Sequence, residues 1–439
     1  AMASLVGKSM VNTEKTPEDT TRYSMLETLR QYARERLDES READAWRRRH
    51  AEHYAAFAEA IARELIGPGE LAARRRVRLE LDNLRAAVTW AFDSGFTSDV
   101  EIGVGIIAHL AFEASANVAS GIGAWAERAV PCVGASSSAR RHALLGGAAY
   151  YAHQGRGDLE TGRALAIQGV AEGLTELSGT VHTLTETTLA MSYMATGEQT
   201  RLRAVVAAAH RGLDAIGDNA YARSTLHSAF ASMLLTVGDV DGAKQEADAG
   251  MKIARSLSNP TCLTLAHFAF GWAWSHDDPE AALAAFDESI ALTRAGAVDG
   301  AYGAALCQAA LLRAHKGDER GALEGLREAI AYSDEVGDRV NFSNAVNRGS
   351  EIVGRLGHAE VSAVFGGIVS GQFLGTSLIY ELRGSELAEH EAVRDRVRAE
   401  LGEDDYAAAT ARGAAMSYDD IVAFALGALD GILAELGDD

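Results

Sequence analysis

A glycine–acid pair recurs along this chain at Gly157-Asp158, Gly197-Glu198, Gly238-Asp239 and Gly317-Asp318. Asp277-Asp278 falls in phase, and Gly357-His358 is a looser form. The first members are separated by 40, 41, 39, 40 and 40 residues. Each pair follows an apolar segment rich in small residues and precedes a second such segment, as in TVGDVDGAKQEADAGMKIARSL around Gly238. A fixed period of this length holds two helices and a tight turn. Such a unit cannot bury its apolar face alone, so it stacks on its neighbours into an α-solenoid. The expected role is binding on a concave surface rather than catalysis.

Composition narrows the class. Only 5 prolines occur in 439 residues, which leaves long stretches free to be helical, because proline costs roughly 3 kcal/mol inside a helix. Hydrophobic residues reach 47% but aromatics only 7%, so small residues must carry much of the packing. No apolar run is long enough to span a bilayer, no secretory signal opens the chain, and a cytoplasmic setting is expected. The opening Ala-Met-Ala reads as a cloning remnant. A net charge of −21 would repel a phosphate backbone, which argues against nucleic-acid binding by this segment. Cys132, Cys262 and Cys307 are too far apart for a CxxC metal site and too few for a disulfide framework; they are expected to be buried free thiols.

Four regions follow along the chain. Residues 1–40 predict a β-hairpin from Leu5–Val11 and Arg22–Met25, joined by a polar turn from Asn12 to Thr21. A helix with Leu26, Leu29, Tyr32, Ala33 and Leu37 on one face comes next. This is read as the remnant of a winged-helix domain. Residues 41–135 form an N-terminal helical region without clear register: Ala45–Leu65, then Leu71–Phe92 with Leu79, Leu84, Val88 and Trp90 as core. A helical hairpin over 102–130 turns near Ala116-Asn117. Residues 136–372 hold the regular repeats. Residues 373–439, with helices expected at 373–383, 386–401 and 406–436, form a C-terminal helical cap.

No motif carries catalysis. Gly7-Lys8-Ser9 lacks the earlier glycine that a phosphate-binding loop needs, since that position is Met2. His50 and His53 share a helix face, but HAEHY is not HExxH and no third metal ligand is placed to join them. Glycine pairs at 103/105 and 121/123 sit in helical patterns and fit close helix packing. No metal site is expected.

In a helix-turn-helix repeat the first helix lines the inside of the superhelix. Positions about three, six, ten and thirteen before the turn face the groove. They select Thr187 in the third repeat, counting a degenerate first turn at Ala116-Asn117. They select Ser228 and Ser232 in the fourth, His267 and Trp274 in the fifth, and Asn344, Asn347 and Glu351 in the seventh. These eight are the candidate groove residues, and their chemistry suits a modest polar ligand or an extended peptide.

The run Arg22-Tyr23-Ser24-Met25-Leu26-Glu27-Thr28-Leu29-Arg30-Gln31-Tyr32-Ala33 resembles the RYxxLETxRQYAxexL signature of STAND-class regulatory ATPases, the LuxR-type and AfsR-type transcriptional regulators of actinobacteria. Glu80-Leu81-Asp82-Asn83-Leu84-Arg85-Ala86-Ala87 with Trp90 is similar to the segment that opens their helical sensor. The stretch from Leu401-Gly402-Glu403 through Gly413, Met416-Ser417 and Ile421–Ala425 looks like the one that closes it. The resemblance implies an all-α, tetratricopeptide-like right-handed α-solenoid that acts as receptor and assembly surface. An upstream NB-ARC-type nucleotide-binding domain would hold ATP or ADP with Mg²⁺, and no cofactor is expected in this segment. An effector or DNA-reading domain lies elsewhere in such proteins. The implied partners are a small molecule, peptide or protein in the concave groove, with self-association of the assembled regulator. The alternative is a protein-binding scaffold with no small ligand.

Overall fold

The computed structural model describes residues 2–15, 21–40, 42–116, 120–133, 138–172, 179–215, 219–372 and 385–437. The chain divides into two compact units, one of residues 1–57 with 83–103 and one of residues 58–82 with 104–439. The fold is all-α with one small antiparallel hairpin. No described helix is long and apolar enough to cross a membrane.

The helices run in this order: α1 Met2–Gly7, α2 Glu27–Glu39, α3 Ala43–Leu65, α4 Glu70–Asp93, α5 Thr97–Leu110, α6 Glu113–Ala116 and α7 Ile122–Ala129. Then come the paired helices α8 Ser138–Tyr150 and α9 Leu159–Glu172, α10 Gly179–Ala195 and α11 Gln199–Ala215, α12 Ala220–Thr236 and α13 Val240–Leu257. They continue with α14 Pro260–Trp274 and α15 Pro279–Arg294, α16 Tyr302–Lys316 and α17 Glu319–Glu335, α18 Arg339–Arg355 and α19 Ala359–Gln372. The chain closes with α20 Ser385–Leu401, α21 Glu403–Ala414 and α22 Tyr418–Glu435.

In the first unit the hairpin pairs β1 (Asn12–Lys15) with β2 (Thr21–Ser24), Asn12 opposite Ser24. The expected first strand therefore moves: Leu5 and Val6 lie in α1, and the ladder begins in what the sequence presented as a turn. Pairing 12–15 with 21–24 leaves a shorter loop to close, and shorter loops cost less entropy. The turn itself, residues 16–20, lies outside the described residues. None of α2 is buried, and its apolar face shows Leu26 and Tyr32 to solvent. Leu84 and Val88 of α4 are core as expected, whereas Leu79, in the second unit, is exposed.

The second unit is the solenoid, and the glycine–acid pair explains its period. Gly157, Gly197, Gly238, Gly317 and Gly357 all have φ between 66° and 87°, a conformation that costs other residues a Cβ clash and that commonly ends a helix. The next residue closes the turn: the amides of Glu198, Asp239, Asp318 and His358 donate to the carbonyls of Tyr193, Leu234, Arg313 and Val353, five residues back. Where that residue is aspartate it also caps the second helix. The Asp239 and Asp318 carboxylates accept from the amides of Gly242 and Gly321, each at 2.9 Å. One dipeptide thus stops the first helix and starts the second. The second amino acid of Asp277-Asp278 caps α15 in the same way, but no left-handed residue precedes it.

Small residues carry the packing, as the low aromatic content required. A Cβ on Gly367 would lie 2.1 Å from the Thr410 carbonyl, and one on Gly413 would lie 2.1 Å from that of Val364, so α19 and α21 pack backbone to backbone. The largest buried cluster runs from Phe268 to Ile432 and joins the last three repeats to the closing helices. Smaller separate clusters serve the earlier repeats. Cys262 and Cys307 are buried, with burial raising each thiol to about 12, but Cys132 is exposed, against expectation.

A buried polar knot ties α4 and α6 to the repeats. The Arg74 Nη2 donates to Glu70 at 2.5 Å and to Glu113 at 3.1 Å. Glu70 in turn accepts from the Thr261 amide at 2.7 Å and from its hydroxyl, so it sits on the N-terminus of α14. Asn259 adds bonds from its Nδ2 to the carbonyls of Leu65 and Gly67. Burial raises the Glu113 carboxyl despite the opposing Arg74 charge.

Candidate ligand-binding site

The first helices of successive repeats place α8, α10, α12 and α14 side by side around a cleft of about 180 Å³. Its walls are apolar: Met191 and Met194 from α10, Met233 from α12, Leu265, Phe268 and Trp272 from α14, and Phe112. Tyr150 and Gln154 contribute from the end of the α8 segment, where the helix widens into a π turn over Tyr151–Gly155. The loop before α16 supplies Val298, Gly300 and Ala301, and the start of α18 supplies Asn341.

Of the candidate groove residues, Thr187, Ser228 and Ser232 line this cleft together. The hydroxyls on α12 are bonded to their own helix: Thr225 Oγ1 donates to Tyr221 at 3.1 Å, Ser228 Oγ to Ser224 at 3.0 Å, and Ser232 Oγ to Ser228 at 3.4 Å. Asn341 is fixed by Asp338, which accepts from its amide at 2.9 Å and from its Nδ2 at 2.7 Å.

His267 and Trp274 lie elsewhere. On α14 the cleft is lined by positions twelve, nine and five before Asp277, one residue out of the expected register. The turn after α14 explains the slip: Asp278 donates four residues back, to Trp274, where Glu198, Asp239, Asp318 and His358 reach five. One residue turns a helix by about 100°. Gly271 accordingly packs on the Phe286 ring, and the Thr264 carbonyl accepts from Ser289. His267 is half-buried, and burial lowers its pKa. The Trp274 ring lies 4.7 Å from the Lys244 Nζ.

Asn347 and Glu351 line a different cavity, of about 340 Å³, roofed by α20 and α21. Asn344 is buried and lines neither cavity. The positions six and ten before the seventh turn share this cavity with His390, Val393 and Val397 of α20. Glu351 Oε1 accepts from Arg355 Nε at 3.1 Å and Nη2 at 3.0 Å, and the same Nη2 reaches Glu389 at 2.9 Å. Burial alone would raise Glu351, but His315, His390, Arg348 and Arg355 outweigh it and hold the carboxyl well below its usual range. His315, Glu351 and Glu389 do bring ligand-type atoms within 4.8 Å of one another. Arg355 already bridges the two carboxylates, so the cation here is a protein side chain.

The groove positions did not select Met233, Leu265, Phe268 and Trp272, which give the cleft much of its apolar wall. The 296–302 loop was also missed, and it has two sides. Val298, Gly300 and Ala301 face the cleft, while Gly296, Ala297, Asp299 and Tyr302 line a polar pocket of about 220 Å³ with Arg74, Arg78, Arg294 and Tyr332. There burial raises the Asp299 carboxyl to about 6.

No protein-family model matches the chain. Among solved structures it is similar to a Signal Transduction ATPase with Numerous Domains (STAND) protein from Pyrococcus horikoshii, described as having a tetratricopeptide repeat sensor. The TM-score is 0.50 at 14% identity, covering 98% of this chain and 60% of that one. This likeness shows the fold: a tetratricopeptide-like helical solenoid. Two proteins named as HTH-type transcriptional regulators, from Mycobacterium tuberculosis and Mycobacterium bovis, are each 39% identical over 98 residues. That is 22% of this chain and 10% of each regulator. The chain thus spans a small part of the curated relatives it matches.

Proposed function

We propose that this chain is the signal-receiving solenoid of a cytoplasmic STAND-type transcriptional regulator of the LuxR or AfsR kind, and that it has no catalytic role itself. The observation that carries the reading is the cleft: four consecutive inner helices and one inter-repeat loop converge on a single apolar hollow. The likeness to a STAND sensor and the partial identity to two HTH-type regulators support the setting. ATP or ADP with Mg²⁺, and any DNA contact, belong to other domains of such a protein.

A ligand held by α8, α10, α12 and α14 at once favours the arrangement that keeps them together. It shifts a pre-existing equilibrium by its differential affinity for the two arrangements. Small changes between neighbouring repeats add along a stack, so a ligand spanning four helices can bias a distant assembly surface. A thermal-shift screen of small metabolites and short peptides tests this. Hits should raise the melting temperature of the wild-type chain but not of a Met194→Glu variant, which carries a charge into the cleft. Hits unaffected by that substitution would refute the cleft as receptor. Silence from every compound, with a protein partner retained, would leave the scaffold reading in its place.

A further inference from the structure

Taking the cleft as the ligand site, we infer that it selects an uncharged, predominantly apolar molecule that donates hydrogen bonds, and that it rejects carboxylates and phosphates. Three observations point the same way. Twenty described residues line the cleft, and none of these is Asp, Glu, Lys, Arg or His. Charged side chains are 23% of the chain, so an ordinary surface of that size would carry about five. An anion entering here would lose its hydration with no counter-charge, in a protein of net charge −21. A cation would find no carboxylate to pair with. Asp299 sits between two lining residues yet faces the opposite pocket, and Asp338 is already engaged by Asn341.

Five of the nine polar side chains that line the cleft, those of Ser115, Thr225, Ser228, Ser232 and Asn341, present acceptors. Four of the six lining hydroxyls, on Ser115, Thr225, Ser228 and Ser232, already donate their protons to carbonyls of their own chain segment. Such a hydroxyl offers only lone pairs to a guest. Asn341 makes the same point more sharply. A carboxylate can only accept, so the bond from Nδ2 to Asp338 fixes which way the amide points. The Oδ1 of this lining residue is left buried and with no donor among the described residues. A cavity of roughly 150 Å³ takes a benzene-sized guest, so a cleft of about 180 Å³ suits a one- or two-ring body.

The test is titration calorimetry of the whole chain with indole, 1-methylindole and indole-3-carboxylate. These differ by one donor and one charge on a constant frame. Indole should bind; 1-methylindole should bind about tenfold more weakly, the cost of leaving a buried acceptor unmet; the carboxylate should bind weakest. Asn341→Leu should abolish the difference between the two neutral probes while keeping 1-methylindole binding, which a merely structural role would not produce. Asn341→Ala serves the same purpose if the leucine variant melts early. Equal or tighter binding of the carboxylate, or an undiminished indole preference in both variants, overturns the inference while leaving the cleft a ligand site. Failure of all three probes to bind the folded chain overturns the cleft itself as a small-molecule site.

Discussion

At the scale of single residues, Gly317 and Gly367 look alike in sequence and differ in what they spend. Gly317 has φ +81° and nothing within 4 Å of a notional Cβ, so Gly317→Ala meets only backbone strain. It should cost about 1 kcal/mol by urea denaturation. Gly367 has ordinary helical backbone, but its Cβ would strike the Thr410 carbonyl at 2.1 Å. Gly367→Ala should cost at least about 2 kcal/mol, because two backbones must part. Finding the first substitution dearer than the second would contradict the assignment of one to conformation and the other to packing. Asp299 gives a pH-dependent case. Its folded pKa of about 6 lies above the unfolded value of 3.8, so between those values the folded chain holds the extra proton. Stability from this group is therefore greatest below about pH 4 and falls as pH rises through 6, by at most about 3 kcal/mol. Asp299→Asn should raise the melting temperature at pH 7.5 and leave it unchanged at pH 4. An equal effect at both would show that the carboxyl is not strained by burial.

At the scale of elements, the turns were legible and the long-range ties were not. Gly157, Gly197, Gly238, Gly317 and Gly357 announced themselves because a left-handed helix stop admits few other residues, and the aspartate beside Gly157, Gly238 and Gly317 is a local cap. Both signals live within six residues of sequence. The fifth repeat lost its register because Asp277 offers no such stop, so His267 and Trp274 were counted onto the wrong face of α14. Asn347 and Glu351 line a cavity of their own, and nothing local foretold that α20 would cover them. The Glu70–Arg74–Glu113–Thr261 knot was invisible for the same reason, since Glu70 and Thr261 are 191 residues apart. That knot predicts its own cost. Arg74→Met leaves two buried carboxylates facing each other without their cation and should destabilise by about 3–5 kcal/mol. Glu113→Gln should cost much less, because burial already favours the protonated form of that carboxyl. Denaturant melts of the two variants at neutral pH decide it, and equal losses would place the weight of the knot somewhere other than Arg74.

At the scale of the whole molecule, cohesion within the solenoid unit is uneven, and the cleft belongs mainly to the weaker part. The cluster from Phe268 to Ile432 fuses α14–α19 with α20–α22 into one apolar body. Among the described residues, the helices before it carry separate smaller clusters around Phe230, Ala149, Ala231, Tyr150 and Met251. In a stacked array, stability is close to a sum of repeat and interface terms, so regions with thinner interfaces open at lower free energy. Amides of α16–α19 and α22 should therefore exchange with deuterium most slowly, and those of α8–α12 markedly faster. Three of the four inner helices around the cleft, α8, α10 and α12, lie in that faster region. A bound ligand at a hundred times its dissociation constant adds about 2.7 kcal/mol to whatever it holds folded. Added protection should appear first on α8, α10 and α12 and only weakly on α16–α19, which are already near the global limit. Protection that rose uniformly, or only in the Phe268–Ile432 body, would mean that the ligand does not use the cleft to stiffen the looser repeats. Such a result would remove the physical basis for signalling through this end of the stack.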